Sequence, residues 1–283
     1  MSERATPAAG VPDVLREIVA RRRRRYGADA GAAAERAAPL AAGENRFLAA
    51  LGALPAGRAA VIAEVKMGSP RLGSLAGRVE PEAQARLYAA RRPGDGGAAA
   101  LSVVVEPDFF DGSYDLLARC RAASGLPAVA KDFVVCGRQL EQAAEAGADA
   151  ILLIAALYPA EELARWARRS RALGLAPLVE THDSADLAKL RRASAGEGDG
   201  WELVGVNNRD LRSFEVDLGH SIARLPELPA GALRVAESGI RGGADVARLY
   251  AAGFDAFLVG ESLLLADDPA AALRDMVTMG GDR

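Results

Sequence analysis

Val61-Ile62-Ala63-Glu64-Val65-Lys66-Met67-Gly68-Ser69-Pro70-Arg71-Leu72-Gly73-Ser74 begins as an apolar run and ends as a turn. The first half predicts a buried strand, on which Glu64 and Lys66 stand two residues apart and therefore share a face. Opposite charges at the end of a buried strand are costly unless they pair or do chemistry. From this stretch alone a structural ion pair and a chemical pair read equally well. The rest of the chain breaks the tie.

From Ala60 onward apolar, β-branched runs recur: Ala60–Val65, Ala100–Val105, Pro127–Ala130, Ala150–Ile154, Ala176–Val179, Leu203–Val206, Leu233–Val235 and Ala256–Val259. Stretches of helical spacing separate them, among them Glu161–Leu173, Ser184–Leu190 and Ala244–Ala252. Such alternation predicts an α/β fold, a (β/α)8 TIM barrel. A doubly wound open sheet is the competitor, but no G-x-G-x-x-G follows any of the runs. Two Gly-rich interruptions, 91–97 and 194–200, each precede a strand and read as loop insertions on the face away from the chemistry.

Ahead of the barrel, residues 1–55 are expected to form a partly helical extension capping the mouth, leaving 56–283 as the catalytic barrel. Residues 1–10 are small and polar and are expected to be disordered. Val11, Val14, Leu15, Ile18 and Val19 then fall at helical spacing and lead into Arg21–Arg25. With no interleaved aromatics or second basic cluster, that run reads as a solvated helix end favoured by the dipole rather than a nucleic-acid site. Phe47–Leu51 predicts a second short helix.

The 283 residues carry a net charge of -3, which gives no reason to expect nucleic acid or an anionic membrane as partner. No apolar run approaches the roughly 20 residues of a bilayer span, and the N-terminus lacks the apolar core of a signal peptide. A cytoplasmic protein is expected. Cys120 and Cys136 are too few for a disulfide framework or a Cys-rich zinc site, and two histidines argue against a His-based metal site, so neither metal nor cofactor is anticipated.

In a barrel the C-terminal strand ends face the active site. Here they carry Glu64 and Lys66, Lys131-Asp132, Glu180, Asn207-Asn208-Arg209, Glu237-Ser238-Gly239 and Gly260-Glu261-Ser262. Any one of these is compatible with a satisfied polar terminus. Six such ends of eight are hard to explain by stability, because all must be paired or desolvated in one mouth. Two lysines among carboxylates suit acid–base chemistry on a substrate with carboxyl or carbonyl groups. The small residues after the last two strands allow close backbone approach, where barrels of this kind often hold phosphate.

Taken together, Ile62-Ala63-Glu64-Val65-Lys66 with Ser69-Pro70, Phe109-Phe110-Asp111-Gly112-Ser113, Lys131-Asp132-Phe133, Leu178-Val179-Glu180-Thr181-His182-Asp183, Gly205-Val206-Asn207-Asn208-Arg209-Asp210-Leu211, Glu237-Ser238-Gly239-Ile240 and Leu258-Val259-Gly260-Glu261-Ser262 make a specific set. The chain resembles the indole-3-glycerol-phosphate synthase family of tryptophan biosynthesis from Ile62 to Pro269. The resemblance implies decarboxylating ring closure of 1-(2-carboxyphenylamino)-1-deoxyribulose 5-phosphate, giving indole-3-glycerol phosphate, carbon dioxide and water. It further implies Lys131 as general acid, Lys66 on the substrate carboxylate, and Glu180 as base. Glu64 and Asn207 would orient these groups and Glu237 would support them. Ser69, Arg209, Ser238, Gly239, Gly260, Glu261 and Ser262 would bind substrate, chiefly its phosphate, and Phe110 and Phe133 would pack the anthranilate ring. The only partner implied is this small phosphorylated molecule; association with other tryptophan-pathway enzymes is left unassigned.

The chain departs from the family at Arg71, where a second Ser is usual, at Val105-Glu106, in Val134–Arg138, and in the Arg-rich first helix. None of these removes a proposed catalytic group, but they leave room for a paralogue acting on a substituted anthranilate. A different phosphate-binding barrel, such as a phosphoribosyl isomerase, would not need two strand-end lysines. A catalytically silent barrel would be expected to lack one of Lys66, Lys131 or Glu180, and all three are present. His182 is expected behind the site or facing solvent, Cys136 as a buried small hydrophobe, and Trp166 and Trp201 as packing between helix and barrel.

Overall fold

The computed structural model describes residues 13–27, 34–36, 38–70, 73–193, 200–210 and 215–280. Residues 1–10, and 194–199 of the second interruption, lie outside the described residues. Eight parallel strands close into a barrel: β1 (Ala60–Val65), β2 (Ala100–Val104), β3 (Ala128–Lys131), β4 (Ala150–Ile154), β5 (Ala176–Thr181), β6 (Leu203–Asn207), β7 (Leu233–Glu237) and β8 (Ala256–Val259). Each pairs with its sequence neighbour, and β1 pairs with β8 to close the ring. The strands are apolar on both faces because one lines the barrel interior and the other meets the helices. Val61, Ile62, Val103, Ile151, Val179 and Val235 are all buried.

The outer helices are α3 (Pro81–Tyr88), α4 (Tyr114–Ser124), α5 (Gly137–Glu145), α6 (Ala160–Ala172), α7 (Ser184–Ala193), α8 (Leu218–Arg224), α9 (Gly243–Ala252) and, after β8, α10 (Glu261–Leu264) and α11 (Pro269–Val277). Local chemistry fixes their ends. Ser113 caps α4 by accepting from Leu116 N at 3.0 Å, and Gly125, at φ +70°, closes it. Trp166 and Trp201 are buried between helix and barrel, as expected. Cys136 is buried at the start of α5, also as expected.

Two helices precede the barrel, and they lie at opposite ends of it. Helix α1 (Asp13–Tyr26) borders the mouth, with Val14, Leu15 and Ile18 on the cavity wall. Helix α2 (Arg46–Gly52) seals the other end. Its cap, Asn45, donates to Asp149 O at 2.7 Å and Gly174 O at 2.9 Å, both just ahead of a strand. Phe47, Leu48 and Leu51 are buried there. Among the described residues the extension meets the mouth through α1, while α2 lies at the opposite end. The physical reason is that α2 has its own apolar face, which finds cover against the strand starts.

The expectation for the arginine run is corrected. Arg22 is 1 % exposed and ion-pairs with Asp132 in the loop after β3. Arg21 lies over the Phe109 ring, 4.7 Å from its centre, and Arg25 approaches Asp108 at 3.3 Å. One residue of the run points inward because helical spacing carries Arg22 onto the face of Leu15, Ile18 and Val19.

Candidate active site

Hydrophobic runs stop where the chemistry starts, but the strands do not. Lys131, Asn207 and Glu237 are the last residues of β3, β6 and β7, and Glu180 is the penultimate residue of β5. Parallel pairing sets Asn207 beside Glu237 and Glu180 beside Gly205. These polar groups are thereby held on a rigid ring rather than on loops.

At the centre stands Glu64. Its Oε1 lies 3.0 Å from Lys66 Nζ and its Oε2 3.4 Å from Lys131 Nζ, so one carboxylate bridges both lysines. Burial alone would raise this carboxyl, but Lys66 and Lys131 outweigh it and bring it down to about 2. Burial by itself would lower the Lys131 ammonium. Glu64, Glu237 and Glu180 reverse that and hold it well above the ordinary lysine range. Asn207 Nδ2 donates to Glu180 Oε1 at 3.1 Å, while its Oδ1 accepts from Arg209 N at 2.9 Å. Glu64 thus bridges the two lysines while Asn207 orients the Glu180 carboxylate.

Glu237 is the outlier. It is 1 % exposed and sits beneath the mouth, with Lys131 Nζ 3.8 Å from its Oε2. Burial, and then the Glu180 carboxylate, push its carboxyl up to about 8 against the pull of Lys131. It is not among the residues lining the cavity and stands behind Lys131, where the resemblance has it supporting the other groups. Strand geometry explains this: as the last residue of β7 its side chain turns into the barrel. Gly205 makes the space, since a Cβ there would lie 3.0 Å from Glu237 Cδ and nearer still to Oε1.

The cavity over these groups measures about 770 Å³, within the usual size for a small-molecule site. It brings together Glu64, Lys66, Lys131, Glu180 and Asn207 with Ser69, Phe110, Phe133, Arg209, Ser238, Gly239, Gly260, Glu261 and Ser262. One side is apolar: the Phe110 and Phe133 rings lie 6.1 Å apart, near Val104, Leu152 and Ile154. The opposite side is polar and small. Ser238 takes a left-handed φ of +67°, unusual for a residue with a side chain, and Asn208 Nδ2 donates to its carbonyl at 3.2 Å. Ser262 Oγ donates to Ile240 O at 2.7 Å, tying the two last strand ends together. Arg209 lines the cavity with Glu261 3.9 Å away, so its side chain reaches the site while its backbone is held by Asn207.

His182 lies outside the lining, as expected. Its ring stacks on His220 with centres 4.6 Å apart, and its Nδ1 is 3.1 Å from Asn207 O. Among the described residues no group of three or more His, Cys, Asp or Glu side chains could hold a metal ion, and no helix is long and apolar enough to cross a membrane.

Sequence reasoning missed several contributors. Val14, Leu15 and Ile18 complete the apolar wall; their helix was expected over the mouth, but its side chains were not named as lining the site. Gly205 had no visible signal, because its role is to be small. Gly260 carried a signal for phosphate, but it also clears space for Glu64: a Cβ at 260 would lie 2.9 Å from Glu64 Cδ.

Comparison with known proteins gives a consistent picture. A family model described as indole-3-glycerol phosphate synthase matches residues 12–276. The chain is 42 % identical over 275 residues to the indole-3-glycerol phosphate synthase of Variovorax paradoxus, covering 93 % of this chain and 98 % of that protein. It is 42 % identical over 230 residues to the protein of the same name from Mycolicibacterium vanbaalenii, covering 81 % and 80 %. Among solved structures, 3-hexulose-6-phosphate synthase from Salmonella typhimurium aligns with a TM-score of 0.59 at 15 % identity, over 78 % of this chain and 97 % of that one. At that identity the likeness speaks for the barrel alone.

Proposed function

The chain belongs to the indole-3-glycerol phosphate synthase family, and on that premise we propose that it is the decarboxylating lyase that closes the indole ring of 1-(2-carboxyphenylamino)-1-deoxyribulose 5-phosphate, with the strand-end residues dividing the work. The observation that carries the assignment is the single Glu64 carboxylate shared by Lys66 and Lys131 at the floor of the cavity.

Ring closure joins an anthranilate ring carbon to the ribulose carbonyl carbon. The carbonyl oxygen gains a proton as that bond forms, and Lys131 supplies it. An ammonium held among carboxylates stays protonated across the working pH range, so the acid is always loaded. Lys66 pairs with the substrate carboxylate that leaves as carbon dioxide, and then assists loss of the hydroxyl as water. Glu180, aimed by Asn207, faces the cationic intermediate and takes the proton that the newly closed five-membered ring gives up, from the carbon next to its nitrogen, as water leaves. Phe110, Phe133 and the α1 side chains pack the aromatic ring and exclude water around it. The phosphate is held by backbone and hydroxyl groups of Ser69, Ser238, Gly239, Gly260 and Ser262 together with Arg209.

The same reading divides the chain at about residue 55 into an extension and a catalytic barrel. It takes the protein as cytoplasmic, acting on a small phosphorylated substrate without nucleic acid, membrane or cofactor. The net charge of -3 supports this. The test is a fluorescence assay for indole product with the unsubstituted substrate. Turnover supports the reading; no turnover with bound substrate would overturn it.

A further inference from the structure

Asp132, one residue past Lys131, is the most heavily bonded carboxylate of the mouth. Tyr114 Oη donates to it at 2.7 Å, Gln139 Nε2 at 2.9 Å and Phe133 N at 2.8 Å. Gln139 also accepts from Val135 N at 2.7 Å and donates to Phe133 O at 2.9 Å, so the loop after β3 is closed by its own residues. Arg22 is not needed for that. It adds a guanidinium from α1, fully buried, on the same Asp132 oxygen that serves Tyr114 and Gln139. Among the described residues its Nε has no hydrogen-bond partner. A buried charge with an unsatisfied nitrogen is an expensive way to attach a helix, since apolar contact does so at lower cost. Among the other links of α1, Tyr26 Oη donates to Gln142 Oε1 at 2.7 Å in a half-buried contact near the helix end, while Arg25 to Asp108 and Arg21 to the Phe109 ring are exposed. Exposed pairs of this sort contribute little.

What the buried pair does achieve is to join two parts of the site. On one side of the Asp132 backbone is Lys131, and on the other is Phe133, whose ring faces Phe110. On the Arg22 side, one to two turns back along α1, are Ile18, Leu15 and Val14, which complete the apolar wall. We propose that Arg22 is a positioning residue for ring closure: by seating its guanidinium on Asp132 it couples docking of α1 to the alignment of Lys131 and Phe133. The apolar wall and the acid then come into register together. The inference rests on the reading of Lys131 as the acid.

The experiment uses the full chain with Arg22→Met, Arg22→Lys, Val19→Ala and Lys131→Met, each followed by kcat, KM and circular dichroism. Val19 is buried on α1 but does not line the cavity, so its truncation loosens the helix without touching Asp132. Arg22→Met is expected to stay folded and lose about ten- to a hundredfold in kcat, the scale of a small misplacement of a reacting group. Methylguanidinium is expected to restore part of that loss. Arg22→Lys should remain impaired, because a point ammonium cannot reproduce the fork, and Val19→Ala, which leaves the pair on Asp132 in place, should lose far less kcat than Arg22→Met. A normal kcat in Arg22→Met, an equal kcat loss in Val19→Ala, or failure of both Arg22 variants to fold would overturn the coupling. Normal turnover in Lys131→Met would instead overturn the acid assignment, whatever Arg22 does.

Discussion

Glu237 Oε2 stands 3.8 Å from Lys131 Nζ, and no donor of the described residues hydrogen-bonds either Glu237 oxygen. Burial and Glu180 raise this carboxyl from 4.5 to about 8. Between those values the folded protein holds the extra proton, so this site's contribution to stability is complete below 4.5 and is lost as pH rises through about 8. Glu237→Gln is neutral throughout. Its melting temperature should exceed the parent's most near pH 9 and converge with it near pH 5. A constant difference over that range would show that Glu237 is ionised in the folded protein.

Replacing Lys131 with Met keeps the stem and removes the ammonium. Turnover should fall roughly a hundredfold or more, the usual contribution of a positioned acid, with substrate still bound through its phosphate. Lys66→Met should lose both binding and turnover, because the carboxylate contact goes as well. Near-normal turnover in the Lys131 variant, measured with chemistry rate-limiting, would reverse the two roles.

Gly260→Ala would put a methyl group 2.9 Å from Glu64 Cδ. The carboxylate is the end of a flexible chain and can move aside, so the fold should survive while the bridge between the lysines breaks. A drop in kcat of about tenfold or more, with an unchanged melting temperature, is expected. Gly239→Ala meets a different obstacle: a φ of +78° and the Val216 side chain. There the backbone near the phosphate shifts, and KM should rise more than kcat falls. Identical effects in both variants would argue that the two glycines serve one purpose.

Truncation should separate the two preceding helices. Removing residues 1–33 takes away α1 and should leave a folded barrel with high KM and weak turnover. Removing residues 1–55 also strips off Phe47, Leu48 and Leu51, each contributing about 1.5–3 kcal/mol of burial. Against a typical total of about 5–15 kcal/mol this loss should show as aggregation or a much lower melting temperature. A fully active 1–33 deletion would remove α1 from the site.

The barrel was legible because its strands are apolar on both faces: Ala60–Val65, Ala150–Ile154 and Ala256–Val259 have the limits expected from hydrophobicity. At β2 the run to Val105 outlasts the strand by one residue, but over the strands that carry most of the site it stops short. It ends at Val179, Val206 and Val235, whereas β5, β6 and β7 continue through Glu180-Thr181, Asn207 and Ala236-Glu237. Function makes these ends polar, and hydrophobicity cannot follow them. The lysines and carboxylates were legible as side-chain chemistry at strand ends. Arg22 was not: helical spacing sets it on the face of Leu15, Ile18 and Val19, but its partner Asp132 lies 110 residues away and no pattern in the run points to it. The seat of α2 was hidden for a similar reason: its apolar face says that it is covered, not by what.

Gly205 and Gly260 have a consequence for how such a protein could fall silent. The carboxylates of Glu237 and Glu64 occupy volume that any side chain at those two positions would claim. A descendant could therefore keep every lysine and glutamate of the site and still lose most of its activity, through one added methyl group. Surveys that diagnose dead relatives by missing functional groups would pass it as active; the decisive positions to inspect are the ones where nothing is attached.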